Sequence, residues 1–273
     1  MPELPEVEMI RRTLLEHVRD LKIEKVKLIW PTAVSGWEDK TFTELVTGRR
    51  IKTINRRGKY LLVLLDADLT LIAHMRMTGK LNYYPDHLEP EKHTHVVFRL
   101  ERGEVHFSDM RKFGRIQAIP TSLCFDKSSL CKLGPEPLAD EFTPAALKER
   151  LGKKKVFLKV ALLDQTVLAG LGNIYVDEAL FQAGLLPDRR IDTLTEKEIS
   201  KLHQAIQTVL QAGIEARGTS FRDYRDANGE KGAFQQALQV YGRRGKPCLI
   251  CGQPLEHIRL AGRGTVYCSR CQR

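Results

Sequence analysis

Two Cys-x-x-Cys pairs, Cys248/Cys251 and Cys268/Cys271, stand sixteen residues apart near the C-terminal end of the sequence. Two thiolates at this spacing can turn back onto one ion, and two such knuckles complete a tetrahedron of sulfur. The pattern therefore dictates a small hairpin module closed by one structural Zn2+. Four sulfur ligands leave no open coordination position, so the metal is expected to support folding, and no catalytic cofactor is implied. The bland alternative is four buried free thiols. Cys124 and Cys131 stand apart from the module, which argues against a disulfide framework.

Residues 240–273 carry seven Lys/Arg against one acid, Glu256. The module stays positive even after four thiolates and a zinc ion are counted. Arg263 lies between Gly262 and Gly264 at the expected hairpin tip, a position suited to phosphate contact. A merely solvated hairpin is the plainer reading. The whole chain of 273 residues has a formal net charge of +10, which attracts polyanions, with nucleic acid foremost, unless it serves solubility alone. No run reaches the ~18–20 apolar residues of a membrane span. The N-terminus is acidic and lacks an apolar stretch, so no membrane partner and a cytoplasmic location are expected. Nothing argues for an oligomer, and a monomer is expected.

Upstream of the module the hydrophobic period changes twice. Val7, Ile10, Leu14 and Val18 recur at spacings of three and four, which predicts an amphipathic helix over 5–19. Eight short β-branched and aromatic runs follow, at 22–30, 49–55, 59–65, 69–75, 80–84, 95–101, 104–108 and 115–119, and predict a sandwich or barrel. Gly134-Pro135-Glu136-Pro137 breaks that pattern. Thr143-Pro144 then starts a helical stretch reaching about 216, with a capping box at Thr195 and Glu198 and a tight glycine turn at 169–173. Residues 217–233 form a polar loop without period, and 236–241 reads as a short strand. The fold class is α+β with two domains. Residues 1–133 form an N-terminal β-sandwich with a leading helix, 134–142 a linker, 143–239 a helical domain that includes loop 217–233, and 240–273 the zinc finger.

Pro2-Glu3-Leu4-Pro5-Glu6 has an ordinary explanation, since acids and prolines suit a helix start. Removal of Met1 would, however, expose a secondary amine with a pKa near ~8, partly unprotonated at neutral pH. Such an amine can form an iminium with a sugar C1′, with Glu3 beside it to move protons.

Pro2-Glu3-Leu4-Pro5-Glu6-Val7 resembles the start of bacterial formamidopyrimidine-DNA glycosylases. Arg57-Gly58-Lys59-Tyr60, His74-Met75-Arg76-Met77-Thr78-Gly79 and Asp109-Met110-Arg111-Lys112-Phe113-Gly114 are similar to further motifs of that family. Leu133-Gly134-Pro135-Glu136-Pro137, Gly172-Asn173-Ile174-Tyr175, Val240-Tyr241-Gly242 and the four-cysteine finger continue the resemblance in register over the whole chain.

The resemblance implies base-excision repair of oxidised purines (8-oxoguanine and formamidopyrimidines) in damaged double-stranded DNA, with an associated lyase that cleaves the strand by β,δ-elimination. It implies Pro2 as Schiff-base nucleophile, Glu3 as general acid/base, and Lys59 at the phosphates flanking the flipped nucleotide. Glu6 would support the N-terminal helix near the lesion. Met77, Arg111 and Phe113 would fill the space left by the extruded base, each by different means. A flexible thioether can occupy the gap, a planar guanidinium can bond the orphaned partner base, and a ring can wedge beside it. Core packing is the plainer reading of Met77 and Phe113. The helical domain would carry a helix-two-turn-helix, with Asn173 and Arg263 binding phosphate and His74, His93 and Lys159 as further backbone contacts. Loop 217–233 would cap the lesion through Thr219, Ser220, Arg222 and Tyr224. Many relatives open this loop with two glycines, whereas this chain has Arg217-Gly218; a positive φ at the first position would strain an arginine.

Two other classes share part of this pattern. An endonuclease VIII-like enzyme for oxidised pyrimidines more often reads Pro-Glu-Gly-Pro and has a shorter loop. A zinc-finger DNA binder using charge alone leaves the Pro2–Glu3 pair and the Met77/Arg111/Phe113 set without a role.

Overall fold

A computed structural model describes residues 1–152, 154–221 and 224–273. The chain forms two compact units, Met1–Cys131 with Ala216–Ala233, and Lys132–Glu215 with Phe234–Arg273.

The first unit opens with α1 (Leu4–Val18). The expected stripe is inside, with Val7, Ile10, Leu14 and Val18 all buried. Its start is a capping box in which the Glu3 side chain accepts from the Glu6 amide and the Glu6 side chain accepts from the Glu3 amide. The chain then runs through β1 (Ile23–Leu28), β2 (Val34–Ser35), the short α2 (Phe42–Val46), β3 (Ile51–Arg57), β4 (Tyr60–Leu65), β5 (Leu69–His74), β6 (Gly79–Tyr84), β7 (Thr94–Leu100), β8 (Glu104–Asp109) and β9 (Arg115–Pro120). One sheet has the order β1-β7-β8-β6 and the other β2-β9-β5-β4-β3. All pairings are antiparallel except β2 with β9. Alternate residues of both sheets meet in one core: Leu61, Val63 and Leu65 from β4, Val96, Phe98 and Leu100 from β7, together with the α1 stripe. This is the expected sandwich with its leading helix.

The second unit contains α3 (Pro144–Gly152), α4 (Leu158–Leu163), α5 (Asn173–Ala183) and α6 (Glu196–Glu215), then the hairpin β10 (Glu256–Leu260) and β11 (Arg263–Tyr267). The Thr143 hydroxyl accepts from the Ala146 amide at 3.2 Å. Thr195 and Glu198 form the expected box, with the Thr195 amide on Glu198 Oε2 at 2.8 Å and the Glu198 amide on Thr195 Oγ1 at 3.3 Å. α5 packs against α6, burying Tyr175, Val176 and Leu180 on one helix and Leu202, Ile206 and Leu210 on the other.

Two expectations change. Residues 236–241 do not form a strand. The amides of Gln239, Val240 and Tyr241 instead converge on the Glu178 carboxylate at 2.8, 2.9 and 2.8 Å. Strand amides alternate in direction, so three in succession cannot share one acceptor. Loop 217–233, assigned to the helical domain from sequence, packs with the first unit. The Ala227 amide donates to Thr13 Oγ1 of α1 at 3.1 Å, and the Ala227 carbonyl accepts from the Tyr83 amide of β6 at 2.9 Å.

Candidate active site and nucleic-acid interface

Pro2 is buried at the entrance to α1, and Glu3 and Glu6 are 3% and 2% exposed. The Glu6 carboxylate works in two directions. Oε2 accepts from the Glu3 amide at 2.8 Å, and Oε1 accepts from the Thr219 amide at 2.7 Å. One side chain thus ties the residue after Pro2 to the loop at 217–233. The Tyr224 hydroxyl donates to the Glu6 carbonyl at 3.3 Å; its burial pushes the phenol pKa well above the usual range, so it stays a neutral donor. Ser220 Oγ donates to the Tyr224 carbonyl at 3.0 Å and accepts from the Gly232 amide at 3.0 Å. Gly218 has φ +82°, and a Cβ there would stand 2.9 Å from Glu6 Cγ, so both conformation and space require glycine. Arg217 has φ +60°, the left-handed conformation that the sequence flagged as strained. Arg222 lies outside the described residues.

Lys59 sits in the β3–β4 turn after Gly58 (φ +55°) and is only 6% exposed, unlike an ordinary solvated turn lysine. His74, at the end of β5, is 9% exposed. Its pKa falls to about 3, first through burial and then through the charges of Arg76 and Lys59. Nδ1 accepts from the Arg76 amide at 2.9 Å, so the ring is neutral with its proton on Nε2. The ring thus braces the turn that presents Met77 without a charge, and the phosphate contact expected of this residue would have to be made by its Nε2–H as a neutral donor. His93, by contrast, is exposed.

Met77 is half-buried, whereas its neighbour Met75 is 1% exposed and belongs to the core. Arg111 is exposed and Phe113 is 51% exposed, with the Arg111 guanidinium carbon 4.8 Å from the Phe113 ring centroid. Core packing therefore does not explain Phe113. The segment is shaped by Asp109, which is 1% exposed. Its Oδ1 takes the Thr78 hydroxyl and, at 3.1 Å, the Arg111 amide; its Oδ2 takes the amides of Phe113 at 2.7 Å and Gly114 at 2.6 Å. Burial alone would raise the Asp109 pKa, but these donors outweigh it and hold the carboxyl below its ordinary value. A Cβ on Gly114 would meet Phe107 Cζ at 2.6 Å, which fixes where the segment returns to β9.

In the second unit Asn173 opens α5. Its Nδ2 donates to the Gly264 carbonyl at 3.0 Å, while its Oδ1 has no hydrogen-bond partner among the described residues. Lys159 was expected to face a phosphate. It is fully buried instead, with Nζ 2.6 Å from Asp177 Oδ1 and 3.1 Å from the same Gly264 carbonyl. Two side chains from the helices therefore anchor the finger hairpin beside its tip. Asp177 also accepts from the Val266 amide at 3.3 Å; burial pushes its pKa up while Lys159 pulls it down. Arg263 stays exposed next to the left-handed pair Ala261 and Gly262.

The sulfurs of Cys248, Cys251, Cys268 and Cys271 all lie within 4.8 Å of one another. Cys248 to Cys271 measures 3.9 Å and Cys251 to Cys268 3.5 Å. Tetrahedral zinc with ~2.3 Å bonds needs S···S separations of about 3.8 Å. The donor set fits one structural Zn2+, whose bonds would close the base of the hairpin.

Asp109, Asp177, Glu178 and Asp226 escaped the sequence reading as individual residues. Each is a buried acid collecting backbone amides or a cation, and only nearby glycines or a downstream turn hint at such a role.

Residues 1–116 match the formamidopyrimidine-DNA glycosylase N-terminal domain, residues 133–225 its H2TH domain, and residues 245–273 the zinc finger found in FPG and IleRS. The formamidopyrimidine-DNA glycosylase of Desulfitobacterium hafniense is 56% identical over 272 residues, covering 100% of both chains. A Lactococcus lactis FPG mutant in complex with Fapy-dG containing DNA superposes with a TM-score of 0.93 at 39% identity, covering 100% of both chains. The wild-type Lactococcus lactis Fpg bound to oxidised-pyrimidine containing DNA gives a TM-score of 0.92 at 39% identity, again with 100% of both covered. No helix among the described residues is long and apolar enough to cross a membrane.

Proposed function

The chain belongs to the formamidopyrimidine-DNA glycosylase family, and we propose that it excises oxidised purines from double-stranded DNA and then cleaves the strand with the N-terminal amine. It is a DNA glycosylase with a structural zinc finger. The observation that carries the finer reading is the Glu6 carboxylate, which holds the Glu3 amide on one oxygen and the Thr219 amide on the other. A nucleophile at Pro2 and a loop that grips a base are thereby joined through one side chain.

In this reading Met1 is removed, because an amide nitrogen has no available lone pair. The Pro2 amine bonds to C1′ as the glycosidic C–N bond breaks, and Glu3 moves the protons. Ring opening leaves an iminium at C1′, with O4′ taking up a proton. Loss of a proton from C2′ expels the 3′ phosphate, and a second elimination expels the 5′ phosphate. Met77, Arg111 and Phe113 fill the space left by the extruded nucleotide. Lys59, His93, Asn173 and Arg263 serve the phosphate backbone, Lys159 supports the finger, and Thr219, Ser220 and Tyr224 shape the base pocket. The working form is a monomer in the bacterial cytoplasm, at the nucleoid.

Borohydride trapping on a duplex with one 8-oxoguanine tests this, with an oxidised-pyrimidine duplex alongside because a relative accommodates such DNA. A purine adduct is expected, lost in Pro2→Gln while duplex binding persists. An adduct intact in that variant overturns the nucleophile. Trapping on the pyrimidine alone moves the substrate class, and binding without any adduct removes the chemistry.

A further inference from the structure

The two limbs of loop 217–233 are anchored in different places. The limb 226–228 is bound to the body of the unit. Asn82 Nδ2 donates to the Asp226 carbonyl at 3.1 Å, Ala227 is held by Thr13 and Tyr83, and Asn228 Oδ1 lies 2.7 Å from His17 Nε2. The limb 217–220 carries the Thr219 amide that meets Glu6. The two limbs touch at a neck so tight that a Cβ on Gly232 would stand 2.1 Å from the Gly218 carbonyl oxygen.

Arg217 and Asp226 cross-link these limbs. The Asp226 side chain is 2% exposed, while that of Arg217 is 46% exposed. Asp226 Oδ1 accepts from the amides of Asn228 at 3.0 Å and Glu230 at 2.9 Å, and Oδ2 pairs with the Arg217 guanidinium. Arg217 and Gly218 are successive left-handed residues, at φ +60° and +82°. A side chain in that conformation is unfavourable and persists only where the surroundings compensate. The guanidinium on a buried carboxylate is such a compensation, since losing it would leave Asp226 a buried charge without this partner.

We propose that the Arg217–Asp226 pair is a clasp that holds residues 218–220 in register with Glu6, making Arg217 a positioning residue for base excision. This rests on the function proposed above. The half-exposed Arg217 side chain permits the clasp to open, and its closure sets the Thr219 amide on Glu6 Oε1, while the Glu3 amide keeps Glu6 Oε2 through the capping box of α1 itself. Gripping a base requires the ordered loop, whereas an abasic sugar offers no base to grip. The clasp should therefore matter for excision and not for attack on a preformed abasic site.

Single-turnover excision of 8-oxoguanine and borohydride trapping on an abasic duplex should be measured for the wild type, Arg217→Gly, Arg217→Lys, Asp226→Asn and the Arg217→Gly/Asp226→Asn double variant. Glycine tolerates the backbone at 217, so that variant keeps its fold. A charged hydrogen bond of this kind predicts a fall of about tenfold in excision rate for Arg217→Gly, with KM held. Abasic trapping should stay at the wild-type level, lysine should restore part of the rate, and the double variant should be no slower than the worse single. Amide exchange at Thr219 should quicken in Arg217→Gly. Wild-type excision in Arg217→Gly, or an equal loss on the abasic duplex, overturns the clasp. A wild type inactive on both duplexes would instead sink the proposed function, and Thr219 exchange would still decide whether the clasp orders the loop.

Discussion

Asp109 takes four donors on two oxygens: the Thr78 hydroxyl and the amides of Arg111, Phe113 and Gly114. Arg111 and Phe113 project into solvent from a segment without regular structure, so this carboxylate, not a helix or strand, gives them a defined position. Asn at 109 would turn an NH2 toward amides that need an acceptor. Hydrogen bonds to a charged group are worth roughly 1.5–3 kcal/mol each, and partial replacement sets the expected loss for Asp109→Asn at about 2–3 kcal/mol near neutral pH. The pH dependence has a definite sign. The folded pKa lies below the unfolded value of ~3.9, so the contribution is complete above that value and disappears as pH falls through the folded pKa. Urea unfolding of wild type and Asp109→Asn from pH 6 downward should show a gap that closes below about pH 4. A gap independent of pH would mean that the charge does not organise the segment. Excision should fall in the same variant, because the void-filling proposed for Arg111 and Phe113 requires the segment that Asp109 fixes.

At the scale of elements the finger illustrates how a sequence pattern and a tertiary tether divide the work. The cysteines close the hairpin base, while Asn173 and Lys159 hold the Gly264 carbonyl next to the tip. Cys268→Ser, or chelation of the wild type, should release the metal and disorder β10–β11, since apparent zinc binding energies of ~10–16 kcal/mol are available to fold such modules. Zinc content and duplex affinity should fall together; affinity unchanged in metal-free protein would separate the finger from DNA binding. The cysteines, the α1 stripe and all eight longer strands of the sandwich were readable because period and ligand spacing are local signals. Three features were not. β2 has two residues and α2 five, too short to show a period. Residues 236–241 carry strand-like side chains, but the Glu178 carboxylate captures their amides. The site residues show the same division. Met77 and Phe113 could be proposed by resemblance, yet only burial separates them from Met75, and only the ion pair with Asp177 reveals that Lys159 faces inward.

Across the whole molecule a net charge of +10 makes counterion release the expected source of most DNA affinity. Each phosphate neutralised on duplex DNA adds about −0.9 to the slope of log K against log salt. The assigned roles therefore differ in a measurable way. Arg263, exposed on the finger and assigned to phosphate, should on replacement by alanine make the slope shallower by about 0.9 and weaken every duplex alike. Arg111, assigned to the orphaned base, should on the same replacement change discrimination between opposite bases and leave the slope nearly unaltered. Lys159 is already paired with Asp177 inside the second unit, so it releases no counterion itself. Its replacement should act through loss of the finger's anchor, lowering affinity together with thermal stability. Fluorescence anisotropy over a salt series, on lesion and undamaged duplexes, measures all three variants. An Arg263→Ala slope equal to wild type would show that the finger tip neutralises no phosphate, and the charge of the finger would then serve solubility alone.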